Sequence, residues 1–135
     1  MSSPITCHVL DSTTGLPATG VEIRLYQFKT AEEVLEIFPD ADEENLDGTF
    51  ELGSSHTNDD GRCVDLVDAS DLEDLGVPGD YKVVFETKAY FAKQGKETFY
   101  PKVEVSFTIG RDEEKKHFHI PLLISPFSYT TYRGS

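Results

Sequence analysis

Val103-Glu104-Val105-Ser106-Phe107-Thr108-Ile109 places an apolar residue at every second position. Successive side chains of a strand point to opposite faces, so this alternation is that of a strand with one side in a core and the other in water. The same period of two recurs at Val21-Glu22-Ile23-Arg24-Leu25-Tyr26. Tyr81-Lys82-Val83-Val84-Phe85-Glu86 adds the aromatic and β-branched residues that favour a strand. Ile5 to Asp11 is a further short strand, ended by the turn-forming run Ser12-Thr13-Thr14-Gly15-Leu16-Pro17. Thr49 to Leu52, Cys63-Val64, His117 to Ile124 and Ser128 to Arg133 complete the set. Seven or eight short strands spaced in this way predict an all-β protein, a two-sheet antiparallel sandwich. One short helix, Lys88 to Gln94, is expected between the fifth and sixth strands, with Thr87 able to cap it and Gly95 to end it. Thr30 to Phe38 has the spacing of a capping box and can form another short helix before Pro39. Ser70 to Leu75 can form a single turn.

At 135 residues the chain is expected to be one domain, residues 1–135, with a sizeable core. It holds no run of apolar residues long enough to span a bilayer, and its first residues lack the basic flank and apolar stretch of a secretory signal. The last three residues are not Ser-Lys-Leu. Cys7 and Cys63 have no metal-ligand spacing and read as reduced core thiols, which suits an intracellular compartment. A net charge of −13 argues against nucleic acid as a partner. That charge is concentrated: no Lys or Arg occurs from Thr30 to Gly61, while Glu32, Glu33, Glu36, Asp40, Asp42, Glu43, Glu44 and Asp47 do. The segment over about residues 30–56 therefore reads as a solvated acidic loop insertion, with no calcium-binding loop pattern in it.

Four histidines can carry chemistry. His117 and His119 are two apart on a strand and share a face, while Phe118, Ile120 and Leu122 point the other way, into the core. Cys7 and Val9 take the core side of their strand, which turns His8 outward. Arg62 follows the tight Asp59-Asp60-Gly61 turn, where a loop presents it. Three readings fit these residues. His8, His117 and His119 can form a tri-histidine metal site, although Arg62 and Arg133 would repel a cation. They can be surface histidines of no consequence. Or they can serve acid–base catalysis, because imidazole titrates near neutral pH. The closing run Tyr132-Arg133-Gly134-Ser135 reads either as a solvated tail or as a strand end delivering an Arg and a carboxylate to a fixed place.

Several motifs in order give the chain a family resemblance. They are HVLD at His8–Asp11, GVEIRLY at Gly20–Tyr26, TNDDGR at Thr57–Arg62, YKVVFETKAYF at Tyr81–Phe91, ETFYPKVEVSF at Glu97–Phe107, HFHIPLLISP at His117–Pro126 and the closing YRGS. Together they resemble the 5-hydroxyisourate hydrolase branch of the transthyretin-like family over nearly the whole length. The acidic stretch between Tyr26 and Thr57 is longer than usual for that family. The resemblance implies a sandwich of two four-stranded sheets, assembled as a homotetramer with active sites in the channel between dimers. The implied substrate is a small purine derivative, 5-hydroxyisourate, hydrolysed without cofactor or metal. The motifs carry the family's catalytic roles onto His8, Arg62, His119 and Ser135. Substrate binding falls on His8, Arg62, His119, Tyr132, Arg133 and Gly134, with His119 expected as the base and His8 as its hydrogen-bonding partner or water holder. The resemblance also implies a cytoplasmic or peroxisomal protein. A transthyretin-like carrier would keep the same sandwich without the closing YRGS or these histidines. It is the alternative reading: a small-molecule binding protein with no catalysis.

Overall fold

Alternation sets each strand's buried side, and the pairing order sets which side chains meet. A computed structural model describes residues 3–71, 78–111 and 117–134. In chain order the described elements are β1 (Ile5–Asp11), β2 (Leu16–Pro17), β3 (Glu22–Phe28), α1 (Ala31–Ile37), a 3-10 turn (Glu43–Asn45), β4 (Thr49–His56), β5 (Arg62–Cys63), β6 (Gly79–Phe85), α2 (Thr87–Ala92), β7 (Val103–Ile109), β8 (Phe118–Ser125) and β9 (Ser128–Thr131). One sheet runs β2-β1-β8-β9, with β5 also paired to β1; the other runs β4-β3-β6-β7. The expected all-β sandwich is present, with three differences. Leu16–Pro17, expected as part of a turn, pairs briefly with Leu10 and Asp11. The β1–β8 pair is parallel, so only the second sheet is antiparallel throughout. And nine strands are described rather than seven or eight, five of them in the first sheet rather than four; the short helix allowed over Thr30 to Phe38 is present as α1.

The inner faces of the two sheets form a single core. Cys7, Val9, Leu122 and Ile124 of the first sheet meet Ile23, Leu25, Val83 and Phe85 of the second, all essentially without solvent exposure. Each such aliphatic or aromatic side chain contributes about 1.5–3 kcal/mol by leaving water. Phe91 of α2 is fully buried and closes one end. Asp11, at the end of β1, accepts a 2.8 Å hydrogen bond from Tyr90 Oη, which latches α2 to the strand that carries His8.

The local signals can be checked against the caps. The α1 capping box is formed: Glu33 N–H donates to Thr30 Oγ1 (3.2 Å) and Thr30 N–H donates to Glu33 Oε1 (3.0 Å). Thr87 does not cap α2. It is the first helical residue, and its hydroxyl donates instead to the Tyr100 carbonyl (2.7 Å), tying the helix to the loop before β7. Gly95 ends that region with φ of 69°, as its position suggested. Most of the turn expected over Ser70 to Leu75 lies outside the described residues.

Candidate active site

β1 lies between β5 and β8, and this neighbourhood assembles the site. In the β1–β5 register His8 is opposite Arg62; in the parallel β1–β8 register Thr6 is opposite His119 and His8 is opposite Pro121. Ile5, Cys7 and Val9 are buried in the core, so Thr6 and His8 face the outer side of the sheet. The parity of β8 is the same: Phe118, Ile120 and Leu122 are buried, and His119 is on the outer side. His8, Arg62 and His119, far apart in sequence, thus share one face. The ring centroids of His8 and His119 are 6.4 Å apart, tilted by 36°. Those of His117 and His119 are 6.3 Å apart.

The turn before β5 aims Arg62. Asn58 Oδ1 accepts from the backbone N–H groups of Asp60 (2.9 Å) and Arg62 (3.0 Å). Gly61 adopts φ of 73°, and a Cβ there would run into the Val9 carbonyl. Only glycine fits that conformation at that approach, which brings the Gly61 carbonyl to accept the Val9 N–H at 2.7 Å and seats Arg62 beside His8.

Beneath the imidazoles lies a residue that sequence reasoning missed. Thr6 is almost completely buried, and its Oγ1 is 2.8 Å from Nδ1 of His119 and 3.0 Å from Nε2 of His117. The nitrogen of His119 nearest the sheet is therefore held by Thr6. The expected partner, His8, stands ring to ring at a distance instead. Parity marks Thr6 as outward-facing together with His8. Its contact with both histidines depends on β1 lying beside β8, and pairing across so long a sequence separation leaves no local signal.

The tail reaches the site through its backbone. Gly134 N–H donates to the His119 carbonyl at 2.9 Å, in an isolated antiparallel bridge. Thr131 Oγ1 donates to the Pro121 carbonyl at 2.7 Å. A Cβ on Gly134 would fall 2.7 Å from Cδ2 of His119 and 3.1 Å from Cγ of Pro121, so the chain lies flat against the imidazole edge. Continuing the register of Leu122 with Thr131 and His119 with Gly134 sets Tyr132 across from Pro121, on the imidazole side. Tyr132 is 60% exposed there. Arg133 takes the other parity. Its guanidinium carbon lies 5.3 Å from the ring centre of Phe118, a core-side residue, in cation–π geometry. With Ser106, Phe107 and Thr108 of β7 it lines a cleft of about 280 Å³, which His119 also lines. The structure thus brings together His8, Arg62, His119, Tyr132 and Gly134, and Arg133, placed over Phe118, meets them at the cleft that it lines with His119 and Tyr132. Ser135 lies outside the described residues.

Burial, followed by the charges of Arg62, His8 and His117, holds the His119 pKa below the ordinary imidazole value. Its neutral form, which can accept a proton, is the form favoured at neutral pH. Among the described residues no group of His, Cys, Asp and Glu is arranged to hold a metal ion. One nitrogen of His117 and one of His119 are instead engaged by the Thr6 hydroxyl. The arrangement supplies a neutral imidazole base, a second imidazole and a guanidinium donor on one sheet face, which is the equipment for adding water to a carbonyl.

A model of the HIUase/Transthyretin family matches residues 5–134. The chain is 46% identical to the 5-hydroxyisourate hydrolase of Mus musculus over 134 residues, covering 99% of this chain and 97% of that protein. Among solved structures, Klebsiella pneumoniae 5-hydroxyisourate hydrolase is similar with a TM-score of 0.70 and 30% identity, covering 97% of each chain. Transthyretin from Sparus aurata is similar with a TM-score of 0.75 and 30% identity, covering 97% of this chain and 96% of that one. Backbone shape alone therefore does not separate the hydrolases from the transthyretins. With matches that run nearly end to end, the chain belongs to the HIUase/Transthyretin family.

Proposed function

We propose that this protein is an enzyme of urate degradation that hydrolyses 5-hydroxyisourate to 2-oxo-4-hydroxy-4-carboxy-5-ureidoimidazoline. The observation that carries the reading is the convergence of His8, Arg62 and His119 on one sheet face, with the His119 pKa held down. His119 takes a proton from water as the water oxygen adds to a ring carbonyl, a role that contributes about 10²–10⁴ in rate. Arg62 donates to the oxyanion that forms, an interaction that contributes at most about 3 kcal/mol. The oxyanion collapses, the adjacent C–N bond breaks, and the departing nitrogen takes up the proton from His119. His8 holds the attacking water or the substrate. No serine or cysteine nucleophile is required, and the steps draw on no metal or cofactor.

In this proposal Tyr132 and Gly134 wall the substrate on the imidazole side, while Arg133 anchors the tail over Phe118 and acts through it. The Ser135 carboxylate closes the pocket. The protein works as a homotetramer with active sites between dimers. An open sheet face exposes its imidazoles to bulk water, and a covering copy would exclude that water and strengthen each electrostatic contact. The exposure of Tyr132 (60%), across from Pro121 on the imidazole side, supports such a covering surface. No described helix is long and apolar enough to cross a membrane. We place the protein in the cytosol or peroxisome, which suits two buried cysteines left as free thiols.

The test generates the substrate in place from urate with urate oxidase and follows its transient absorbance. The protein should speed the decay in proportion to its concentration. A decay no faster than in its absence would overturn the assignment.

A further inference from the structure

A threonine hydroxyl carries one proton and can accept others, and a neutral imidazole carries one N–H and one bare nitrogen. Thr6 Oγ1 lies within hydrogen-bond distance of two imidazoles at once, 2.8 Å from Nδ1 of His119 and 3.0 Å from Nε2 of His117. How that single proton is shared decides which nitrogen of His119 is bare. If Thr6 donated to His119, Nδ1 would be the acceptor, the ring proton would sit on Nε2, and the far end of the ring could not accept a proton from water. If Thr6 donates to His117, it accepts from Nδ1–H of His119 and leaves Nε2 bare. The surroundings favour the second arrangement. Arg62 pairs across from His8 on the same outer face as His119, and a guanidinium offers only donors, so a bare outward nitrogen on His119 is favoured there over a second N–H. His117 is exposed at the sheet surface and free to present an acceptor nitrogen to Thr6.

We propose that Thr6 and His117 form a positioning relay, in which Thr6 donates to Nε2 of His117 and accepts from Nδ1–H of His119, so that His119 meets the substrate with a bare Nε2. The inference rests on the reading of His119 as the base. Neither Thr6 nor His117 touches the substrate; both act through His119. The arrangement is the general one in which a hydrogen bond at one imidazole nitrogen fixes the state of the other. Thr6 is well suited to it because it is buried among strands and its position does not wander with solvent.

The test reads tautomer and kinetics separately. Long-range proton–nitrogen correlation spectra of the nitrogen-15-labelled full-length protein, taken without substrate, should show His119 protonated at Nδ1 and bare at Nε2. Thr6→Val keeps the shape and removes the hydroxyl. It should shift His119 towards the Nε2–H form and lower kcat by about 10–100-fold, the usual scale for removing a group that orients a functional histidine. KM should stay within about twofold, because no substrate contact is lost. Thr6→Ser should restore both the tautomer and kcat. His117→Phe, at an exposed position where folding is not at risk, should free the Thr6 proton for His119 and move the tautomer in the same direction. An Nε2–H His119 in the resting wild-type protein would overturn the relay. So would a Thr6→Val protein that keeps the wild-type tautomer, or one whose only kinetic change is a raised KM. Because the spectra need no turnover, they stand apart from the assignment of the base, which falls separately if His119→Asn retains wild-type kcat.

Discussion

Gly134→Ala is a one-methyl perturbation whose effect can be worked from the coordinates. The added Cβ would sit 2.7 Å from Cδ2 of His119, 3.1 Å from Cγ of Pro121 and 3.2 Å from the His119 carbonyl oxygen. Carbon atoms in contact prefer about 3.5–4.0 Å, so the imidazole edge is roughly 1 Å too close. Two responses can relieve it. The ring can turn, which breaks the 2.8 Å contact with Thr6, or the tail can lift, which breaks the 2.9 Å bond from Gly134 N–H to the His119 carbonyl. Lifting an exposed tail forfeits one backbone hydrogen bond, about 0.5–1.5 kcal/mol, which is less than the 1–3 kcal/mol that overpacking costs in a closed core, about what it would take to keep the tail down. Global stability should therefore change little. Catalysis is more sensitive, because a misplacement of about 1 Å in a reacting group costs on the order of 10² in rate. The expected result is kcat lowered by about 100-fold, with a melting temperature within a few degrees of wild type. It is measured by the decay of 5-hydroxyisourate generated from urate, alongside thermal unfolding of the same preparation. A Gly134→Ala protein with wild-type kcat would refute the placement of the tail against His119. A protein that loses activity only because it unfolds would refute the claim that the tail is separable from the core.

His119→Asn should lower kcat by about two orders of magnitude or more with folding intact, the scale of a lost general base; near-wild-type turnover would remove His119 from the mechanism. A depressed His119 pKa keeps the base unprotonated to lower pH, so the acid limb of kcat/KM should lie below pH 6.5, and Arg62→Gln, by removing one positive neighbour, should move that limb upward. A limb that stays put or moves down would contradict the Arg62–His119 coupling. Replacing residues 32–47 with a short Gly-containing turn should leave kcat within about threefold, since long surface segments add little to closure entropy. It should still lower the melting temperature, because the buried Val34 and the Phe38–Phe50 stack, 5.3 Å between centroids, go or lose a partner. Lost activity in a folded protein would put that segment at the site. Deleting Tyr132 to Ser135 should cost at least about 10² in rate with the sandwich retained, because Gly134 no longer holds His119 in place. Arg133→Met alone should cost less than about tenfold, because the Arg133 guanidinium lies over Phe118; a loss as large as that of the deletion would return Arg133 to the substrate.

Where alternation is strong the strands are readable residue by residue: Val103 to Ile109 and Ile5 to Asp11 coincide with β7 and β1. Where function or close packing displaces strand-forming residues, the reading shortens. β4 continues through Gly53, Ser54, Ser55 and His56, none of them a strong strand former. It does so because those residues pair with β3, and because only a glycine fits at position 53, where a Cβ would run into the Leu66 carbonyl. β2 is two residues held by β1 inside what is locally a turn. The parallel pairing of β1 with β8 has no local signature at all, since it joins residues more than a hundred positions apart in the register Thr6 with His119. Yet that pairing makes the site.

The faces of His8 and His119 follow from the period of two, but period alone cannot say that they share a face of the same sheet, nor that the Thr6 hydroxyl reaches both His119 on β8 and His117 just before it. The same limit explains Arg133. The motif that carries YRGS names four successive residues, and an extended chain cannot present four successive side chains to one side. Once Gly134 is registered with His119, Tyr132 and Gly134 belong to the imidazole side, and Arg133 must go to the other. The tail is thus held by alternation: an arginine over Phe118 and a glycine whose backbone lies against His119. A sandwich shape shared equally with a transthyretin and with a hydrolase is indifferent to this arrangement. The residues proposed for the chemistry occupy a few outward positions on β1, β5, β8 and the tail, so one scaffold shape is compatible with the presence or absence of that chemistry on one face.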